Sequence, residues 1–121
     1  MYVRGIRGAT TVEHNSEEEI LAATAELLAK IVESNGVDPE AICSVFITVT
    51  PDLDATFPAK AIRSMPGWEL VPLMCALEIP VVNGLKRCIR LMVQINTEKS
   101  QKEIRHVYLN GAQALRPDLA K

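Results

Sequence analysis

Residues 87–95 read Arg87-Cys88-Ile89-Arg90-Leu91-Met92-Val93-Gln94-Ile95. In an extended chain, alternate side chains point to opposite sides. Ile89, Leu91, Val93 and Ile95 therefore share one side, which is wholly apolar and asks for a core. Cys88, Arg90, Met92 and Gln94 share the other. A guanidinium in the middle of such a strand is costly to bury without an anionic partner. Either that side is solvent, or something negative meets Arg90.

Other strands lie on both sides of this one in sequence. Residues 2–12 alternate loosely, and residues 42–50 form the strongest β pattern in the chain. Residues 70–75 read as a strand containing Pro72, which makes it an edge or interrupted strand. Ile104 to Leu109 reads as a last strand. The long helix opens at Asn15 or Ser16. There Ser16-Glu17-Glu18-Glu19 fits a capping box, and the three glutamates suit the positive end of the helix dipole. Ile20, Thr24, Leu27, Leu28 and Ile31 form its apolar stripe. Glu26 and Lys30 are placed to pair on the outside, and Gly36 is the stop signal. Residues 58–65 predict a short helix with Pro58 in its first turn. The Asn83-Gly84 pair marks a turn, and Ser100 to Glu103 a short capped one. The fold class is α+β: a mixed five-stranded sheet packed by one long helix. One helix covers one face only. Phe46, set against Val45 and Ile47, shows a strand apolar on both sides, so the other face is expected to meet a further subunit.

A chain of 121 residues makes one domain, 1–121. Its net charge of −2 calls for neither nucleic acid nor an anionic membrane. No stretch approaches the ~20 apolar residues of a membrane span. The start Met1-Tyr2-Val3-Arg4-Gly5 lacks an apolar signal core, so a cytoplasmic location is expected. Cys43, Cys75 and Cys88 are odd in number and widely spaced, which predicts free thiols.

Arginine placement is the main chemical signal. Arg7 lies within the first strand among Gly5, Gly8 and Ala9, small neighbours that leave room above the backbone. Arg63 follows Lys60 by three residues on the short helix, so both can face one way. Taken singly, such cations are usually solvated. Several of them converging on one site would imply a substrate with more than one carboxylate or phosphate. Glu78, in a loop before Pro80, reads alone as solvent-exposed, and Tyr108 as a half-buried packing residue. Phe57 either caps the core or walls a pocket. There is no Ser/His/Asp arrangement, no metal-ligand spacing and no phosphate loop. An enzyme of this kind is expected to need no cofactor and no metal.

Several blocks resemble the monofunctional bacterial chorismate mutases of the aroH class. They are Arg4-Gly5-Ile6-Arg7-Gly8-Ala9-Thr10-Thr11-Val12-Glu13, Thr50-Pro51-Asp52-Leu53 and Phe57-Pro58-Ala59-Lys60-Ala61. Further along come Cys88-Ile89-Arg90, Ile104-Arg105-His106-Val107-Tyr108-Leu109 and Leu115-Arg116-Pro117-Asp118-Leu119. The resemblance implies an isomerase that converts chorismate to prephenate in phenylalanine and tyrosine biosynthesis. It also implies a homotrimeric pseudo-α/β barrel with active sites between subunits. The family's active-site arginines, glutamate and tyrosine fall on Arg7, Glu78, Arg90 and Tyr108. Its neighbouring-subunit contacts fall on Phe57, Lys60 and Arg63, and its ligand-contacting strand end on Leu73, Met74 and Cys75. Leu115 and Arg116 match a closing tail, at about residues 112–121. Two other classes stay open at this point: a trimeric imine/enamine deaminase and a non-catalytic metabolite-binding module.

Overall fold

The computed structural model of the chain describes residues 1–115. Arg116 and the rest of the expected tail lie outside the described residues.

Ile89, Leu91, Val93 and Ile95 are all buried, as their alternation requires. Their strand, β4 (Cys88–Thr97), is the centre of a five-stranded sheet. With β1 (Tyr2–Thr11), β2 (Ile42–Val49), β3 (Leu73–Leu77) and β5 (Val107–Tyr108), the order is β3-β2-β4-β1-β5. β4 runs antiparallel to β1 and β2. The two outer pairs, β2–β3 and β1–β5, are parallel, so the sheet is mixed.

The long helix α1 (Glu17–Asn35) covers one face with Ile20, Thr24, Leu27, Leu28 and Ile31, all buried. Thr24 is tolerated there because its hydroxyl donates to the Ile20 carbonyl at 2.7 Å. Ser16 caps the helix by accepting from the Glu19 N–H at 3.1 Å. The capping box is only half formed. The Ser16 N–H is already taken by the His14 carbonyl at 3.0 Å, so the Glu19 carboxylate turns to His14 instead. Gly36 ends the helix in the left-handed region at φ 62°, where a side chain would be strained. Glu26 and Lys30 form no ion pair; both are exposed, where solvation competes with so weak an attraction. The short helix α2 (Ala59–Arg63) packs beside α1 and buries Ala59 and Ile62.

Two strands differ from their sequence patterns. β3 begins after Pro72 and runs to Leu77; the proline lacks a donor, but its carbonyl still accepts from the Val45 N–H at 2.9 Å. β3 is an edge strand, the first of the two alternatives that Pro72 left open. β5 is two residues long rather than six, because the main chain of Arg105 is claimed by the Asn35 side chain.

Gly8 sits where β1 passes closest to α1. A Cβ there would lie 2.6 Å from Ile31 Cδ1 and 3.2 Å from Leu27 Cδ1, both in the core. Gly8→Ala is expected to cost about 1–3 kcal/mol by overpacking. At fixed protein concentration, the denaturant midpoint should fall with an unchanged slope.

The second face of the sheet is neither fully covered nor open. Cys88 is buried there with Ala9, Tyr108 and Ala112, under the 3-10 turn Asn110–Ala114. Phe46 and Met74 are left 41% and 63% exposed on the same face.

Candidate active site

Strand register builds the site. Paired residues share a face, so Ala76, Thr48, Arg90, Ala9 and Tyr108 form one row across all five strands. Met74, Phe46, Met92 and Arg7 form the next row. A cleft of about 290 Å³ lies over these rows, lined by Arg7, Glu78, Arg90 and Tyr108 together with Thr48 and Phe46.

Glu78 reaches the cleft because the β2–β3 pairing continues one residue past β3. Its N–H donates to the Val49 carbonyl at 2.9 Å. That step carries the carboxylate over Thr48, whose hydroxyl donates to Glu78 Oε2 at 2.5 Å. Arg90 Nε lies 3.4 Å from the same oxygen, and the two side chains are 36% and 22% exposed. Glu78 is therefore not the solvated loop carboxylate that its sequence position suggests.

Arg90 Nε and Tyr108 Oη are buried and have no hydrogen-bond partner. An unmet buried polar group costs about 1–3 kcal/mol, so native structures rarely keep one without a purpose. Here there are two, from residues lining one cleft. Nearby, burial pushes the Cys88 thiol up from its ordinary pKa, and the Arg90 charge only partly opposes this. Cys88 is expected to stay unmodified by maleimide in the native protein and to react after denaturation; mass spectrometry of the labelled chain checks this.

The entry to β4 is clamped at Arg87 and Cys88, three and two residues before Arg90. Arg87 has a left-handed backbone, φ 49°, and its N–H donates to both Asp52 carboxylate oxygens at 3.1 and 3.0 Å. The Thr50 hydroxyl donates to Asp52 at 2.6 Å and accepts from the Cys88 N–H at 2.9 Å. Sequence reasoning gave neither Asp52 nor Thr48 a role. The one available signal was Thr48 itself, two residues from Phe46 and therefore on its face.

Other expected site residues lie apart from this cleft. Lys60 pairs with Glu17 at 3.1 Å, and Arg63 is exposed on α2. Phe57, 72% exposed, precedes that helix. Met74 sits beside Phe46 on the cleft face, whereas Leu73 and Cys75 pair with Val45 and Ile47 and alternate to the opposite face. Leu115 lines an adjoining cavity of about 490 Å³ that shares Glu78 and Arg90 with the first. Among the described residues there is no cluster of three or more His, Cys, Asp or Glu able to hold a metal ion, and no helix long and apolar enough to cross a membrane.

The family description chorismate mutase type I matches residues 3–119. The chain belongs to that family, whose members are isomerases. It is 52% identical over 120 residues to chorismate mutase AroH of Bacillus subtilis strain 168, covering 99% of this chain and 94% of the relative. Against chorismate mutase AroH of Thermus thermophilus it is 50% identical over 118 residues, covering 97% and 96%. A solved chorismate mutase from Clostridium thermocellum superposes with a TM-score of 0.89 at 51% identity, covering 92% of this chain and 98% of that one.

Proposed function

We propose that the chain rearranges chorismate to prephenate in the cleft lined by Arg7, Glu78, Arg90 and Tyr108. The observation that carries this reading is their convergence: four polar side chains from four segments meet in one cleft, and two of their buried atoms make no hydrogen bond. The reaction is an intramolecular [3,3] shift. It breaks a C–O bond and forms a C–C bond, with no net proton or electron transfer. It therefore asks for no base, nucleophile or cofactor.

The chemistry of the residues sets their roles. Arg7 and Tyr108 hold the substrate carboxylates and favour the compact conformer in which the reacting carbons meet. Glu78, as the carboxylate, accepts a hydrogen bond from the ring hydroxyl. C–O cleavage runs ahead of C–C bonding, so the ether oxygen gains negative charge. Arg90 donates to that oxygen, more strongly in the transition state than in the ground state.

The working unit of this proposal is a homotrimer, a pseudo-α/β barrel with sites between subunits. Exposed Phe46 and Met74 beside the cleft are the surface such contacts would cover. Phe57, Lys60 and Arg63 then reach the cleft of a neighbouring subunit. The strand end Leu73-Met74-Cys75 contributes partly through its backbone, and Leu115 with Arg116 closes over the ligand. The location proposed is the cytoplasm, and the partners are chorismate and prephenate, with no nucleic acid and no membrane.

The test is loss of chorismate absorbance in the ultraviolet by the purified protein, matched by appearance of prephenate. Tight binding without turnover, or ammonia release from imino acids in place of this conversion, would overturn the reading.

A further inference from the structure

Arg7 must be held by something other than an ordinary strand ladder. On one side β1 pairs with β4 along its whole length, Arg7 opposite Met92. On the other side β5 reaches only Gly8 and Ala9, which pair with Val107 and Tyr108. The Arg7 N–H points toward this short side and has no carbonyl to meet. It donates instead to His106 Nδ1 at 2.9 Å. The accepting nitrogen carries no proton, so the ring is neutral with its hydrogen on Nε2.

His106 is itself fixed from both sides along the chain. Before it, the buried Asn35 at the end of α1 grips Arg105: Asn35 Oδ1 accepts from the Arg105 N–H at 2.8 Å, and Asn35 Nδ2 donates to the Arg105 carbonyl at 2.9 Å. The carboxamide behaves as a neighbouring strand would. After it, the Leu109 N–H donates to the Ala9 carbonyl at 2.9 Å. Residues 105–109 thus form a frame tied to α1 and β1, with the imidazole set against Arg7.

We propose that His106 is a positioning residue whose imidazole replaces a strand carbonyl and fixes the segment of β1 that carries Arg7. The proposal rests on Arg7 binding a substrate carboxylate. A small displacement of a binding group is enough to weaken a reaction that depends on holding one conformer.

The experiment is a double-mutant cycle in kcat/KM with chorismate, over wild type, Arg7→Ala, His106→Ala and the double variant. His106→Ala is expected to lower kcat/KM by about tenfold, mostly through KM. In the Arg7→Ala background it is expected to cost nothing further. His106→Asn keeps an acceptor oxygen near the Nδ1 position and should return kcat/KM to within about threefold of wild type. Equal losses from His106→Ala in both backgrounds, or no rescue by asparagine, would overturn the proposal, because a general loss of packing is blind to Arg7. Full activity of Arg7→Ala alone would instead overturn the binding role of Arg7, and the proposal with it.

Discussion

Arg90→Ala lowers kcat at least about 10²-fold on this account, with the fold intact. The fold should survive because Arg90 faces the cleft, while its neighbours Ile89 and Leu91 hold the core. Truncation removes a donor that already waits in place: Nε is buried and makes no hydrogen bond. One preorganised donor in a low-dielectric site is worth about 3–4 kcal/mol of transition-state stabilisation. Arg90→Lys keeps the charge but loses the planar fork, and should recover only part of the loss. Steady-state kinetics with circular dichroism on both variants checks this. A folded alanine variant with near-normal kcat would remove Arg90 from the mechanism.

Glu78→Ala is expected to be nearly as damaging, with kcat/KM down by about 10²-fold. Its carboxylate has two neighbours at one oxygen, the Thr48 hydroxyl and Arg90 Nε. Its removal leaves Thr48 without that acceptor and Arg90 without its only nearby anion among the described residues. The ring hydroxyl of the substrate loses its acceptor as well. Glu78→Asp keeps the charge but draws it back by one methylene, away from Thr48, so it should recover activity only in part. Equal kcat/KM for the alanine variant and wild type would contradict the role given to Glu78.

The sequence carried the sheet better than it carried the cleft. Alternation in residues 88–95 depends only on neighbours, so the core face of β4 could be read directly. The same holds for the Ser16 and Gly36 ends of α1, while Pro72 narrowed its strand to an edge or an interrupted one. Arg7 and Arg90 stood out because charges inside strands break that local pattern. Glu78 and Tyr108 did not stand out, since nothing near them in sequence is unusual; only the resemblance marked them. Their place depends on register. Thr48 and Glu78 are far apart in the chain and meet because β2 and β3 pair in parallel, Val49 against Leu77. The Asp52 clamp on Arg87 and the Asn35 grip on Arg105 are long-range in the same way. The grip also explains why the last strand is shorter than its alternating sequence suggests.

The central claim is that the Arg90 charge acts on the ether oxygen mainly while the bond is breaking. The most direct measurement replaces Arg90 by a neutral isostere of the same shape and compares two quantities: kcat, and the dissociation constant of prephenate. The account predicts kcat lower by at least about 10²-fold and prephenate affinity within a few-fold of wild type. An equal loss in both would make Arg90 a ground-state binding group, and an unchanged kcat would contradict the account outright.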